Sequence, residues 1–344
     1  MNDLIETIKN ARRVVITSHI KPDGDAVGSM VAMLRALRSA GKICEAVSPS
    51  HIPAVFNFFL HRNDEMLRYD PGRDDPILEA ADLYIVLDCS DLGRAGPVGA
   101  KMNELGKPIV SIDHHSTNKR FGSFNHIIND ASSTGALVMN IIEDLAIPLS
   151  LEIAIPLYVA IVTDTGDFNY PTTTPKTHEK AARLMEIGVK PYEVYRKLTL
   201  DRTIEFIRLG GLALFNVQLA YNGDVAYSVV QYDLFQKFTP RVDELVMLPP
   251  YLLSIRGVEV GVLFLEYEPG RILVDLRSKG LISVASLAAD LGGGGHSRAA
   301  GVRIRGEVPE IVHRVLIEIE QMLLSARRES TDEEEHRTRT WRSS

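Results

Sequence analysis

Arg13-Val14-Val15-Ile16-Thr17-Ser18-His19-Ile20-Lys21-Pro22-Asp23-Gly24-Asp25 decides the fold of this chain. The run from Arg13 to Ser18 is β-branched and reads as a buried strand. Pro22 and Gly24 then permit a tight turn on which Asp23 and Asp25 project together. Directly after it, Val27, Met30, Val31, Leu34 and Leu37 recur at helical spacing. Further buried-strand runs lie at residues 42–47, 83–87 and 108–112, each separated by enough chain for a crossover connection. The reading is an α/β fold with a doubly wound parallel sheet.

Helical patterns dominate residues 133–145, 151–162, 175–187 and 203–215. After Phe215 the pattern changes to antiparallel-looking strands at 225–230, 258–267 and 271–276, with Pro269-Gly270 as a turn between the last two. We therefore expect a first domain over residues 1–196, a helical linker over 197–215 and a smaller α/β domain with a mixed or antiparallel sheet over 216–325. Residues 326–344 are charged, contain Asp332-Glu333-Glu334-Glu335, and read as a disordered tail.

The bulk numbers agree with two domains. The chain has 344 residues, 45% hydrophobic and 24% charged, and single cores usually stop growing at roughly 250 to 300 residues. No apolar stretch approaches the ~20 residues of a membrane span. No basic segment followed by an apolar one opens the chain, so the expected location is cytoplasmic. Cys44 and Cys89 are too few for a disulfide framework or a zinc cluster of their own. A net charge of −7 argues against broad adhesion to long nucleic acid. Residues 251–306 run against that balance, with seven basic and five acidic side chains.

Ligands of open parallel sheets bind beyond the carboxyl ends of the strands, and the metal-type residues fall there. His19, Asp23 and Asp25 follow the first strand. Asp88 ends the run 83–87, Asp113-His114-His115 ends the run 108–112, and Thr163-Asp164-Thr165-Gly166 follows the apolar helix pattern up to Val162. An isolated Asp at a strand end is usually a helix cap or turn former, and Asp91 and Asp167 read that way. Four such clusters on one sheet are another matter: their repulsion is costly without a cation. The mixed carboxylate and imidazole set, without thiolates, suits manganese and also allows magnesium, cobalt or iron.

These residues carry a resemblance. His19-x-x-x-Asp23-x-Asp25, Asp88, Asp113-His114-His115 and Asp164-Thr165-Gly166 resemble the four motifs of the DHH phosphoesterase superfamily. Gly292-Gly293-Gly294-Gly295-His296-Ser297-Arg298-Ala299-Ala300-Gly301 resembles the signature of its DHHA1 domain. The length resembles the subgroup of bifunctional oligoribonucleases and phosphoadenosine-phosphate phosphatases. The resemblance implies two divalent cations, one on His19, Asp23 and Asp88, the other on Asp25, Asp88, His114 and Asp164, with Asp88 as the bridge. It further implies attack by a hydroxide from water between the ions, Asp113 orienting the neighbouring His114, and His115 facing the substrate phosphate.

The glycine-rich run alone could be a flexible loop. By resemblance, Gly293, Gly294 and Gly295 allow close approach of a phosphate, and His296 and Arg298 fix the far end of the substrate as the loop closes over the metals. Arg94 is a further substrate-binding candidate that reads equally well as a surface charge. The implied substrates are short oligoribonucleotides, cut exonucleolytically, and 3′-phosphoadenosine 5′-phosphate. Alternatives on related scaffolds are a cyclic- or linear-dinucleotide phosphodiesterase, a RecJ-type single-strand exonuclease and a manganese pyrophosphatase. A nucleotide-binding protein with a decayed site is the non-enzymatic alternative. No membrane partner is expected, and a homodimer stays open.

Overall fold

A computed structural model describes residues 2–61, 65–238, 245 and 247–342. It divides into two compact units, Met1–Asp201 and Arg202–Ser344.

Among the described residues, the first unit is built on a six-stranded sheet: β1 (Arg13–Thr17), β2 (Ile43–Ser48), β3 (Met66–Arg68), β4 (Leu83–Leu87), β5 (Ile109–Asp113) and β6 (Phe124–Ile127). Their order is β3-β2-β1-β4-β5-β6, and every neighbouring pair is parallel. The sheet is doubly wound, as expected. β4 and β5 are buried at every position, which explains why both read as unbroken apolar runs. The strand order reverses between β1 and β4, and the crevice at such a switch point is where an open sheet binds its ligand.

Helices cover both faces of the sheet. Leu4, Ile5 and Ile8 of α1 (Asn2–Asn10) pack with α2 (Gly24–Ser39), α5 (Thr134–Asp144) and α6 (Leu151–Asp164) in one core. Leu78 of α3 (Pro71–Ala80) and Val98 and Met102 of α4 (Gly96–Leu105) form the other. The unit is completed by α7 (Pro175–Ile187) and α8 (Pro191–Thr199).

Glycine sets the spacing between α2 and α6. A Cβ on Gly28 would stand 2.4 Å from the Pro156 carbonyl oxygen, and one on Gly24 would stand 2.3 Å from Thr163 Oγ1. These backbones meet closely because two side chains are missing. Asp25 in the first turn of α2 and Asp164 at the end of α6 are thereby brought to the same crevice.

The second unit opens with α9 (Ile204–Phe215) and holds a mixed sheet of β7 (Gln218–Ala220), β8 (Val225–Val230), β9 (Val260–Glu268), β10 (Arg271–Ser278), β11 (Gly294–His296) and β12 (Ala299–Arg305). The order is β11-β12-β10-β9-β8-β7, with β8 and β9 parallel and the other pairs antiparallel. Between β8 and β9 the chain passes through α10 (Tyr232–Phe238) and α11 (Pro249–Leu253). One face of the sheet packs on α12 (Val284–Asp290) and α13 (Val308–Arg342). At the β9–β10 turn Gly270 takes a positive φ of 67°, as the Pro-Gly signal requires.

Two readings change here. The glycine-rich run is not an open loop: Gly294, Gly295 and His296 pair with Gly301, Ala300 and Ala299 as an antiparallel hairpin. The polar end of the chain, expected to lack structure, continues α13 as far as Arg342. Its Arg and Glu residues are good helix formers.

Candidate metal centre

Three loops at the carboxyl edge of the first sheet and the ends of two helices converge on one buried group of side chains. His19 leaves β1. Its Nδ1 meets the Ile20 carbonyl oxygen at 2.8 Å, which makes Nδ1 the donor and turns Nε2 toward Asp88 Oδ2 at 3.5 Å and Asp23 Oδ2 at 4.0 Å. Asp23 caps α2, its Oδ1 accepting from the Ala26 N–H at 3.0 Å. One oxygen serves the helix and the other faces His19, so the capping role and the ligand role coexist.

Asp88 closes β4 in the left-handed region, with φ 52°, and is buried. Its N–H donates to the Ile112 carbonyl at 3.0 Å, which ties it to β5. Oδ2 faces His19, whereas Oδ1 lies 3.7 Å from His114 Nε2 and 3.5 Å from His115 Nδ1. His114 Nε2 also meets Asp164 Oδ2 at 3.3 Å and Asp25 Oδ2 at 3.9 Å. Ligand atoms of His19, Asp23 and Asp88 fall within 4.8 Å of one another, and so do those of Asp25, His114 and Asp164.

Asp113 differs from its expected role. Its Oδ1 accepts from the His115 ring at 2.6 Å and from the N–H groups of His114 and His115, while the His114 ring meets the Ala131 carbonyl at 3.3 Å. Asp113 therefore orients the second histidine. Sequence adjacency cannot tell which of two neighbouring rings swings back onto a carboxylate.

The electrostatics are those of crowded anions. Burial, followed by the charges of Asp88 and the other nearby carboxylates, pushes Asp25 and Asp164 well above the usual carboxylate range. Asp88 is buried as well, but the His19 contact and the surrounding imidazoles hold it below that range. Burial works against a charge on His115; its hydrogen bond to Asp113 and the charges of Asp88 and Asp113 overcome this and raise it to about 9. Two carboxylates ~4 Å apart repel by about 4 kcal/mol at an effective dielectric of 20. A divalent cation between them removes that cost.

The donor set fits such ions. Cys89, next to Asp88, donates its thiol to the Asp91 carbonyl at 3.0 Å, and it belongs to none of the groups of ligand atoms among the described residues. Oxygen and imidazole remain, the chemistry of manganese, magnesium, iron or cobalt sites.

Four contributors were not legible in the sequence. Thr134 donates its hydroxyl to Asp88 Oδ1 at 3.1 Å, and the N–H groups of Thr134 and Gly135 reach Asp25 at 2.6 and 2.8 Å. Ser29 Oγ reaches Asp25 at 3.1 Å, and Asn118 Nδ2 donates to Asp113 Oδ2 at 2.7 Å. All are uncharged and stand away from the strand ends that carry the acidic groups.

The remaining candidates sort by position. Asp91 is a cap, accepting from the Gly93 N–H at 2.7 Å and pairing with Lys119. Asp167 sits at positive φ, outside the groups of ligand atoms. Arg94 is half-buried; its carbonyl accepts from the Ile20 N–H, and its charge opposes that of His115, so it belongs beside the centre. In the second unit, a Cβ on Gly293 would stand 2.4 Å from the Gly301 oxygen, and one on Gly295 2.4 Å from the Ala299 oxygen. The hairpin itself demands those two glycines. Around Gly294 the space is open. Arg298 is exposed and lays its guanidinium against Gly280; the side chain of His296 lies outside the described residues.

The N-terminal domain model of the DHH family matches residues 13–161, and the DHHA1 domain model matches residues 222–323. This chain belongs to the DHH family, whose members depend on metal, and carries a DHHA1 domain. It is 32% identical over 316 residues to the bifunctional oligoribonuclease and PAP phosphatase NrnA of Thermus thermophilus, covering 91% of each chain. The Bacillus subtilis protein of the same name is 29% identical over 310 residues, covering 88% of this chain and 92% of that one. Among solved structures, an exopolyphosphatase-related protein from Bacteroides fragilis superposes with a TM-score of 0.86 at 26% identity, covering 94% and 96% of the two chains.

Proposed function

We propose that the chain is a two-metal phosphoesterase that hydrolyses short oligoribonucleotides from an end and dephosphorylates 3′-phosphoadenosine 5′-phosphate to AMP. The observation that carries it is Asp88, whose two oxygens face two separate ligand groups, His19 with Asp23 and His114 with Asp164. Two ions, manganese by preference, would be held by His19, Asp23 and Asp88 and by Asp25, Asp88, His114 and Asp164. Bound there, they supply a water acidic enough to ionise near neutral pH and a positive field for the phosphoryl oxygens.

The chain's own groups do the rest. With Nδ1 committed to Asp113, His115 leaves Nε2 to face a phosphoryl oxygen as its charge grows. Arg94, close by, adds positive charge for a phosphate. Gly294, His296 and Arg298 are assigned to the part of the nucleotide away from the metals, where a guanidinium makes a charge-assisted hydrogen bond. The names of the two NrnA relatives support this substrate class. Among the described residues no helix is long and apolar enough to cross a membrane, and we place the reaction in the cytoplasm.

The test is a panel of substrates offered with manganese: 3′-phosphoadenosine 5′-phosphate, RNA of two to five nucleotides, a long single strand, cyclic dinucleotides and pyrophosphate. Fast turnover of the first two is the expected result. Preference for the long strand, the cyclic dinucleotides or pyrophosphate overturns it.

A further inference from the structure

The geometry points to Thr134 as a positioning residue that fixes the roll of the Asp88 carboxylate and so assigns one oxygen to each ion. The inference rests on the two-metal reading and names a residue outside its ligand set.

A carboxylate that serves two ions must hold its plane so that each oxygen faces its own side. Free rotation about the Cβ–Cγ bond would smear both directions. Asp88 Oδ2 has His19 Nε2 at 3.5 Å, and Oδ1 has His114 Nε2 at 3.7 Å and His115 Nδ1 at 3.5 Å. These are contacts of ligand toward ligand, too long to lock the plane. The Thr134 hydroxyl, at 3.1 Å from Oδ1, is at hydrogen-bonding distance, and both residues are fully buried there.

Nothing in the helix requires that hydroxyl. Ser133 is the cap of α5, its Oγ accepting from the Ala136 N–H at 3.0 Å, so the Thr134 side chain is spare for capping. Its place is fixed nonetheless. A Cβ on Gly135 would stand 2.4 Å from Ala160 Cβ, so the first turn of α5 sits hard against α6. The Thr134 N–H meanwhile donates to Asp25 Oδ2 at 2.6 Å. One residue thus spaces two carboxylates, Asp25 through its backbone and Asp88 through its side chain. Only the second contact is lost on substitution.

The test uses the full-length, metal-free protein titrated with Mn2+ by calorimetry and by electron paramagnetic resonance. Thr134→Val keeps the shape and removes the hydroxyl; Thr134→Ser keeps the hydroxyl. Groups that orient metal ligands typically contribute 10- to 100-fold in affinity. Thr134→Val is expected to weaken Mn2+ binding by roughly that factor, and to replace the spectrum of a spin-coupled pair with that of isolated ions. Thr134→Ser is expected to restore both. Circular dichroism confirms folding, and Thr134→Ala replaces the valine variant if that one fails to fold. Wild-type affinity and an unchanged coupled spectrum in the hydroxyl-free variant overturn the role of Thr134 and leave the two-metal reading standing. Absence of Mn2+ binding by the unmodified protein overturns both.

Discussion

The backbone N–H of Thr134 donates to Asp25 Oδ2 at 2.6 Å across 109 residues of sequence. The first turn of α5 thereby turns its unpaired donors toward a carboxylate of α2, where the helix dipole favours negative charge. Hydrogen bonds of this kind help hold an anion that burial and three neighbouring carboxylates oppose. The contact depends on how closely α2, α5 and α6 approach one another.

That approach is testable at Gly28. Gly28→Ala places a methyl group 2.4 Å from the Pro156 carbonyl oxygen, and the two helices have to separate. Overpacking of this kind costs about 1 to 3 kcal/mol. Calorimetry is expected to show a lower melting transition, together with weaker Mn2+ binding because Asp25 and Asp164 move apart. An unchanged transition would show that the crevice is not set by this contact.

Removing the shared carboxylate has a larger consequence. Asp88→Ala is expected to lower turnover by more than the ~10- to 100-fold typical of groups behind the ligands, and to reduce the Mn2+ held by the purified protein. The metal content and the rate are measured on one sample. Two tightly held ions with near-normal turnover would sink the ligand assignment.

Asp275 gives a pH dependence to the second unit. Burial raises it to about 6 even though Arg277 pairs with it. Because the folded value lies above the ordinary 3.8, the charged carboxylate is the form that folding disfavours. Stability is therefore greatest below pH ~4 as far as this group is concerned, and is lost as pH rises through 6. A shift of two units corresponds to about 3 kcal/mol. Asp275→Asn is expected to raise the melting temperature at pH 7 relative to the unmodified protein, with the advantage vanishing at pH 4. An advantage of equal size at both values would refute the account.

Arg298 separates substrate grip from chemistry. Arg298→Ala is expected to raise KM for short oligonucleotides by roughly 10- to 100-fold, about 1.5 to 3 kcal/mol for a lost charge-assisted hydrogen bond. Hydrolysis of a simple chromogenic phosphodiester, which has nothing to place there, should stay nearly constant. Equal losses on both substrates would remove Arg298 from the substrate site.

The central strands and their acidic ends were legible because the two signals coincide. A fully buried strand such as Leu83–Leu87 is apolar throughout, and Asp88 interrupts it with a group that burial penalises. The edge strands were not. Met66–Arg68 is too short for any periodicity, and Phe124–Ile127 mixes polar and apolar residues because none of its positions is fully buried. Gly293 and Gly295 carry no side chain to show a strand pattern, so the hairpin read as a loop. Thr134 and Asn118 escaped notice for a different reason. Their chemistry is ordinary, and only the fold reveals what they touch.

The strand order places the ligands on both sides of the switch between β1 and β4, with Asp164 contributed last, at the end of α6. A chain emerging from the ribosome therefore displays His19, Asp23 and Asp25 long before it has the means to neutralise them. The proposed second ligand group is complete only once α6 has been made and has packed against α2, because Asp164 belongs to it. Ions binding the finished crevice would add their binding free energy to folding, so metal held at the second group would report completion of the first unit.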